Sequence, residues 1–331
     1  MEDLILTVAE RRGGYAFRSD LLEAGLDDRH IALAMRIGIL TRLRHGTYAP
    51  SGPLAELSPE RRHLLVAYSV VDKLGDGVAL SHHSAAIAHV GVAYGVDLST
   101  VHVTRRDGRG GRTEAGVAFH VGTIVPDEDL CLVDGRLAVA PARSVIESSS
   151  LASVESGMVT TSFAVRNGAC TMDELRERLE HHERWPGMLN VRLSVAKAEP
   201  RCESVGEVRS MFMFGCTGVP RPQTQVEITR AGISIARGDF GWLEYRHLGE
   251  FDGLIKYGRL NPYSESQLGQ VLVDEKRRED DIRGEGFGMS RWVWSDLDPR
   301  RRVTTASRIL AAMEQSRRLY TRMATHIPLT S

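Results

Sequence analysis

Glu203-Ser-Val-Gly-Glu207, Gly238-Asp239-Phe240 and Gly249-Glu250-Phe251-Asp252-Gly253, with Lys256 four residues past Asp252, make the one stretch whose pattern a chemistry would require. The apolar run Ile233 to Phe240 predicts a strand that ends near Asp239, and His247 to Ile255 predicts the next. Two apart on that strand, Glu250 and Asp252 point to one face, and a hairpin joining the two runs sets Asp239 close to Glu250. Carboxylates gathered this way raise one another's pKa unless a cation or a basic side chain compensates. Hard oxygen ligands at a sheet end suit Mg²⁺ or Mn²⁺. With Lys256 in reach, the expected chemistry is metal-assisted hydrolysis of a phosphodiester. The plainer reading is that Asp-Gly is a turn dipeptide and that strand edges carry acids because they are solvated.

The order Glu…Asp…Glu-x-Asp-Gly, then a charged helix around Lys276 and the strand Ser290-Arg-Trp-Val-Trp294, resembles the PD-(D/E)XK restriction-endonuclease-like superfamily. It looks closest to small domains related to very-short-patch-repair endonucleases. The resemblance implies an αβββαβ domain, with Asp239 as the first metal ligand and Glu250 as the second. Glu207, or in second place Glu203, is then the acid on the preceding helix. Asp252 stands where the family's usual lysine would be, so Lys256 or Lys276 must replace that lysine if the site is active.

At 331 residues the chain predicts two or three domains. Its 42% hydrophobic and 26% charged residues are those of a globular protein, and a formal charge of −1 excludes a globally basic nucleic-acid binder without excluding local basic patches. Four widely spaced cysteines form no Cys-x-x-Cys pair, which argues against a zinc ribbon or a disulfide framework. The amino terminus shows no basic region followed by an apolar core, and no apolar run approaches bilayer length, so the expected compartment is the cytoplasm, with no membrane partner.

Residues 2 to about 50 predict three short helices and a hairpin. The first, Asp3 to Arg12, turns Leu4, Ile5, Val8 and Ala9 to one face. Ser19 is the expected cap of the second and Asp27 of the third, which turns Ile31, Ala34, Met35 and then Ile37 inward. Two short strands follow around Gly46. This is the plan of a winged helix-turn-helix, and "GGYAFRSDLLEAGLDDRHIALAMRIGILTRLRHGTYAP" resembles the N-terminal domain of AbiEi-family antitoxins. That resemblance implies a third helix in the major groove of duplex DNA, offering Arg29, His30 and Arg36, and a wing offering Arg42, Arg44 and His45. Asp27 and Asp28 at the same helix would repel phosphate, which leaves open a winged helix used for protein contacts.

From about 53 to 198 the pattern predicts a mixed α/β middle domain, and "LAVAPARSVIESSS" with the helices after it also resembles AbiEi-like proteins. "LSHHSAAIAHVGV" reads as a helix capped by Ser81. Adjacent in a helix, His82 and His83 point to different faces and cannot chelate together, so they read as packing residues. Val101 to Thr104 and Val117 to His120 read as strands paired across the basic loop Arg105 to Gly111, and His181-His-Glu183 as a solvated helix end.

The expectation is therefore an α/β multidomain chain: residues 1–52 a winged helix, 53–198 a mixed α/β domain and 199–331 a restriction-endonuclease-like domain with a C-terminal helix. The favoured function is a DNA-binding, Mg²⁺- or Mn²⁺-dependent endonuclease of defence, restriction or repair. The alternative is an antitoxin-type regulator with an inactive nuclease fold, a partner toxin and, as with many winged-helix regulators, a homo-oligomeric state.

Overall fold

The computed structural model describes residues 1–181, 185–230, 233–253 and 277–324, with residues 181 and 321–324 described by their backbone alone. Lys256, Lys276 and the His-Glu pair at 182–183 lie outside the described residues. The chain divides into two compact units, 1–196 and 197–331.

The first unit holds two separate apolar cores. Around the first are α1 (Glu2–Glu10), β1 (Ala16–Phe17), α2 (Arg18–Glu23), α3 (Asp28–Arg36), β2 (Leu40–Arg44) and β3 (Thr47–Pro50). The three strands form one antiparallel sheet in the order β1-β3-β2. Ile5, Val8, Leu21, Ile31, Ala34 and Leu40 meet in its core, which is where the helical spacing of these residues directs them. Asp27 caps α3, its carboxylate accepting from His30 N at 2.8 Å. The expectations fail at three details. Ser19 lies inside α2, whose start is held instead by Asp20 accepting from Phe17 N at 2.8 Å. Ile37 follows the end of α3 and is exposed, as is Leu4 on α1.

The second core begins with α4 (Ser51–Glu56), α5 (Pro59–Leu74), β4 (Val78–Leu80), α6 (His82–Val90) and β5 (Val101–Arg105). It continues through β6 (Arg112–Glu114), β7 (Val117–His120), α7 (Pro126–Asp129), β8 (Leu130–Val133) and β9 (Arg136–Val139). Four helices complete the segment: α8 (Pro141–Ser150), α9 (Val154–Arg166), α10 (Met172–His181) and α11 (Met188–Lys197). The six strands form one mixed sheet, β6-β7-β5-β4-β9-β8. β5 and β7 do pair, but in parallel, because β6 intervenes and forms the antiparallel hairpin with β7. Ser81 sits at the N-cap of α6, but its hydroxyl meets the neighbouring His82 ring rather than a helix N–H.

The second unit is α12 (Val205–Thr217), a four-stranded sheet and the long helix α13 (Arg302–Ala324). Its strands are β10 (Gln223–Arg230), β11 (Ile233–Trp242), β12 (His247–Asp252) and β13 (Gly288–Val293), in that order across the sheet. The first three run antiparallel, and β13 joins β12 in parallel. Phe214, Phe240, Trp242 and Trp292 pack ring on ring at the centre. Gly249 makes that packing possible, since a Cβ there would lie 2.6 Å from the Trp292 ring.

All four cysteines are free. Among the described residues no helix is long and apolar enough to cross a membrane.

Candidate functional site

Two places in the chain carry the residues singled out from the sequence. In the head, α3 displays Arg29 and Arg36 seven residues apart, hence on one stripe, with exposed Ala32 between them and the buried Ile31 and Ala34 opposite. The acids feared as repellent are spent internally. Asp28 is paired with Arg18 at 2.6 Å, and Asp27 is occupied by the helix cap. His30, although exposed, is turned back so that its Nδ1 faces Asp27. On the hairpin Arg42 is exposed and its Nη2 lies 2.9 Å from His45 Nδ1, while its Nε donates to the Arg44 carbonyl. A bulge between Arg42 and Arg44 separates two side chains that a regular strand would turn the same way, and Arg44 is half buried. Burial lowers the pKa of the Arg44 guanidinium.

In the second unit the antiparallel register sets β11 and β12 so that Asp239 Oδ2 accepts from Phe251 N at 2.8 Å, directly beside Glu250. Asp239 is pushed up to about 6, first by burial and then by the nearby charge of Glu207, with the Phe251 N–H opposing the shift. Glu207, in the first turn of α12, accepts from Glu203 N and from Gln225 Nε2, both at 2.8 Å. Gln225 takes a left-handed backbone angle, φ 55°, and its buried Oε1 finds no partner among the described residues. Asp239, Glu207 and Gln225 therefore form one polar cluster at the end of the sheet.

Glu250 is held differently. Arg278 Nη2 donates to its Oε1 and Arg291 Nε, on β13, to its Oε2 at 3.1 Å. The two guanidiniums neutralise the carboxylate where the sequence pattern expected a cation. Among the described residues, Glu207, Asp239 and Glu250 do not bring one oxygen each within 4.8 Å of the others. Asp252 pairs in register with Val293 and stays part exposed. Arg278 was not among the residues singled out, because it lies in a mixed-charge tract that reads as a solvated helix face.

Sequence reasoning also missed a third cluster. His82, His102 and His120 come together in the first unit, their ligand nitrogens within 4.8 Å of one another. The available signal was a histidine inside each of two apolar strands, Val101-His-Val and Val-Ala-Phe-His120.

Residues 3–51 match the family described as "Transcriptional regulator, AbiEi antitoxin". Two uncharacterized Mycobacterium tuberculosis proteins, MT2308 and Rv2248, are each 26% identical to the chain over 230 residues, 68% of this chain and 78% of theirs. The crystal structure of the RV2827C protein from Mycobacterium tuberculosis compares at a TM-score of 0.37 and 15% identity, covering 67% of this chain and 81% of that one.

Proposed function

We propose that the chain is a DNA-binding regulator of the antitoxin type, and that residues 1–52 act as a winged helix-turn-helix head. The observation that carries this reading is the stripe of Arg29, Ala32 and Arg36 on α3, facing away from the core with both neighbouring acids already paired. The match of residues 3–51 to an antitoxin and regulator family supports it. A small residue between two arginines lets a helix approach a groove closely while the guanidiniums reach base edges or phosphates. Arg42 on the hairpin then serves the adjacent backbone as a wing, with Arg44 and His45 beside it. Residues 53–198 form the connecting α/β domain, and residues 199–331 take the restriction-endonuclease-like role as a clamp or protein-contact domain. A partner toxin and a homo-oligomer on a two-fold DNA site complete this reading.

A second reading keeps phosphodiester hydrolysis in residues 199–331. The elevated Asp239 carboxyl beside Glu207 and the Gln225 Oε1, which finds no partner among the described residues, favour it. It requires Glu250 to leave Arg278, and it assigns Asp252 an assisting role and Lys256 the lysine's. Incubating the full chain with supercoiled plasmid and a labelled duplex, each with Mg²⁺, Mn²⁺ or EDTA, separates the two. Retarded but intact DNA under every condition is the expected outcome. Metal-dependent nicking that disappears in Asp239→Ala and Glu250→Ala would replace the regulator by the nuclease.

A further inference from the structure

We infer that His82, His102 and His120 form a binding site for one borderline divalent transition-metal ion of the Zn²⁺ class, with an open coordination position facing a cavity. The three imidazoles come from three elements: His82 opens α6, His102 is the second residue of β5 and His120 closes β7. One nitrogen of each lies within 4.8 Å of one nitrogen of each of the others. His102 Nδ1 and His120 Nε2 are 2.8 Å apart and so share a single proton, and the His82 ring stacks on that of His120 with centroids 3.7 Å apart. An ion bound to all three at about 2.0–2.1 Å would take the place of that proton and spread the nitrogens slightly.

The surroundings distinguish this cluster from ordinary packed histidines. His63, His83 and His89 each reach a backbone carbonyl, of Leu98, Asp97 and Val139, at 2.8 to 2.9 Å. Among the described contacts, the three clustered rings reach no backbone carbonyl; His102 and His120 face each other, and His82 Nδ1 lies 3.0 Å from Ser81 Oγ. Burial, and then the charges of the neighbouring imidazoles, hold His82 and His102 well below the usual imidazole range. Burial lowers His120 as well.

Against His82 stands a carboxylate, a group that commonly supports metal-ligating imidazoles. Glu147 Oε2 accepts from His82 N at 3.1 Å and lies 3.4 Å from His82 Nδ1, and its Oε1 accepts from Arg143 Nε at 2.8 Å. Arg143, only 2% exposed, is itself fixed by Asp129 at 2.7 Å. His82 holds a left-handed backbone angle, φ 49°, which side chains other than glycine rarely adopt.

A cavity of about 420 Å³ is lined by His82 and His120 together with Thr104, Arg143 and Glu147. Thr104 is 1% exposed, and its Oγ1 finds no partner among the described residues. A water or ligand oxygen on the ion would supply that partner. Three imidazoles with one open position are the donor set of a catalytic rather than a closed structural zinc site. Nitrogen donors also select Zn²⁺, Co²⁺, Ni²⁺ or Cu²⁺ over the Mg²⁺ that carboxylates would take.

The test is a Co²⁺ titration of the full chain after stripping with EDTA, followed by visible absorption and by displacement with Zn²⁺. One Co²⁺ per chain is expected, displaced by Zn²⁺ and unaffected by Mg²⁺. His102→Gln and His120→Gln should each weaken binding by more than the roughly 10–100-fold that loss of an outer-shell partner costs. His30→Gln and His45→Gln should leave it unchanged. Should either cluster variant fail to fold, Zn²⁺-dependent protection of His82 and His120 from diethyl pyrocarbonate in the unmodified chain gives the answer. Absence of one-to-one binding, unaltered affinity in His120→Gln, or protection at other histidines instead would overturn the assignment.

Discussion

Removing Arg29 and Arg36 together should change not only how tightly the protein holds DNA but how that grip responds to salt. Arg29, Arg36 and Arg42 are exposed and Arg44 is half buried, so the head offers four guanidiniums to phosphate. Four neutralised phosphates give a slope of log affinity against log salt of about −3.6. Between about 50 and 200 mM salt the unmodified chain should therefore lose about 150-fold in affinity. With both helix arginines replaced by alanine, two contacts remain, the slope falls to about −1.8 and the loss to about 12-fold. Both side chains project from an exposed stripe, so the fold should hold within about 0.5 kcal/mol and the comparison remains one of binding. Fluorescence anisotropy of a labelled duplex from the protein's own upstream region, titrated at a series of salt concentrations, reads both slopes. A double variant that keeps the original slope would refute the reasoning, because the phosphate contacts would then lie elsewhere, for instance on the basic loop between β5 and β6.

Two further predictions concern the second unit. A Cβ at Gly206 would intrude on the ring of Phe251, whose N–H anchors Asp239, so Gly206→Ala should cost about 1–3 kcal/mol in urea unfolding by overpacking; an unchanged midpoint would contradict the packing described. Burial pushes the Asp239 carboxyl up to about 6 in the folded chain, against about 4 in the unfolded one. The folded chain thus retains a proton that the unfolded chain has lost, so this group's contribution to stability is full below pH 4 and falls until the pH passes 6. Asp239→Asn keeps an acceptor for Phe251 and removes the ionisation, so its melting midpoint should exceed that of the unmodified chain above pH 6. The difference should close below pH 4, and a difference that does not vary with pH would exclude the assignment.

Much of the head was legible because its determinants are local. The spacing of Ile5, Val8, Ile31 and Ala34 and the cap at Asp27 each lie within a few residues of what they organise. The β11 and β12 strands were legible for a similar reason, one short connection fixing Asp239 against Phe251 and Glu250. Long-range pairings were not. The loop after β5 reads equally well as a hairpin tip, and only the short strand β6 turns β7 parallel to β5. The same holds for partners that decide chemistry: Arg278 and Arg291 reach Glu250 from distant segments, and three histidines from three elements converge. Periodicity registers which face a residue occupies, but not which other face it will meet.

The parallel pairing of β13 with β12 carries a consequence for the order in which the second unit assembles. The antiparallel strands β10, β11 and β12 follow one another closely and can zip as they leave the ribosome. β13 reaches its place only after the intervening chain has been made, and pairing strands that far apart in sequence is entropically slow. Trp292 arrives with β13 and completes the aromatic centre against Phe240 and Phe214. Until then β12 presents an unpaired edge and its aromatic face lacks Trp292, the kind of surface through which partly folded chains associate.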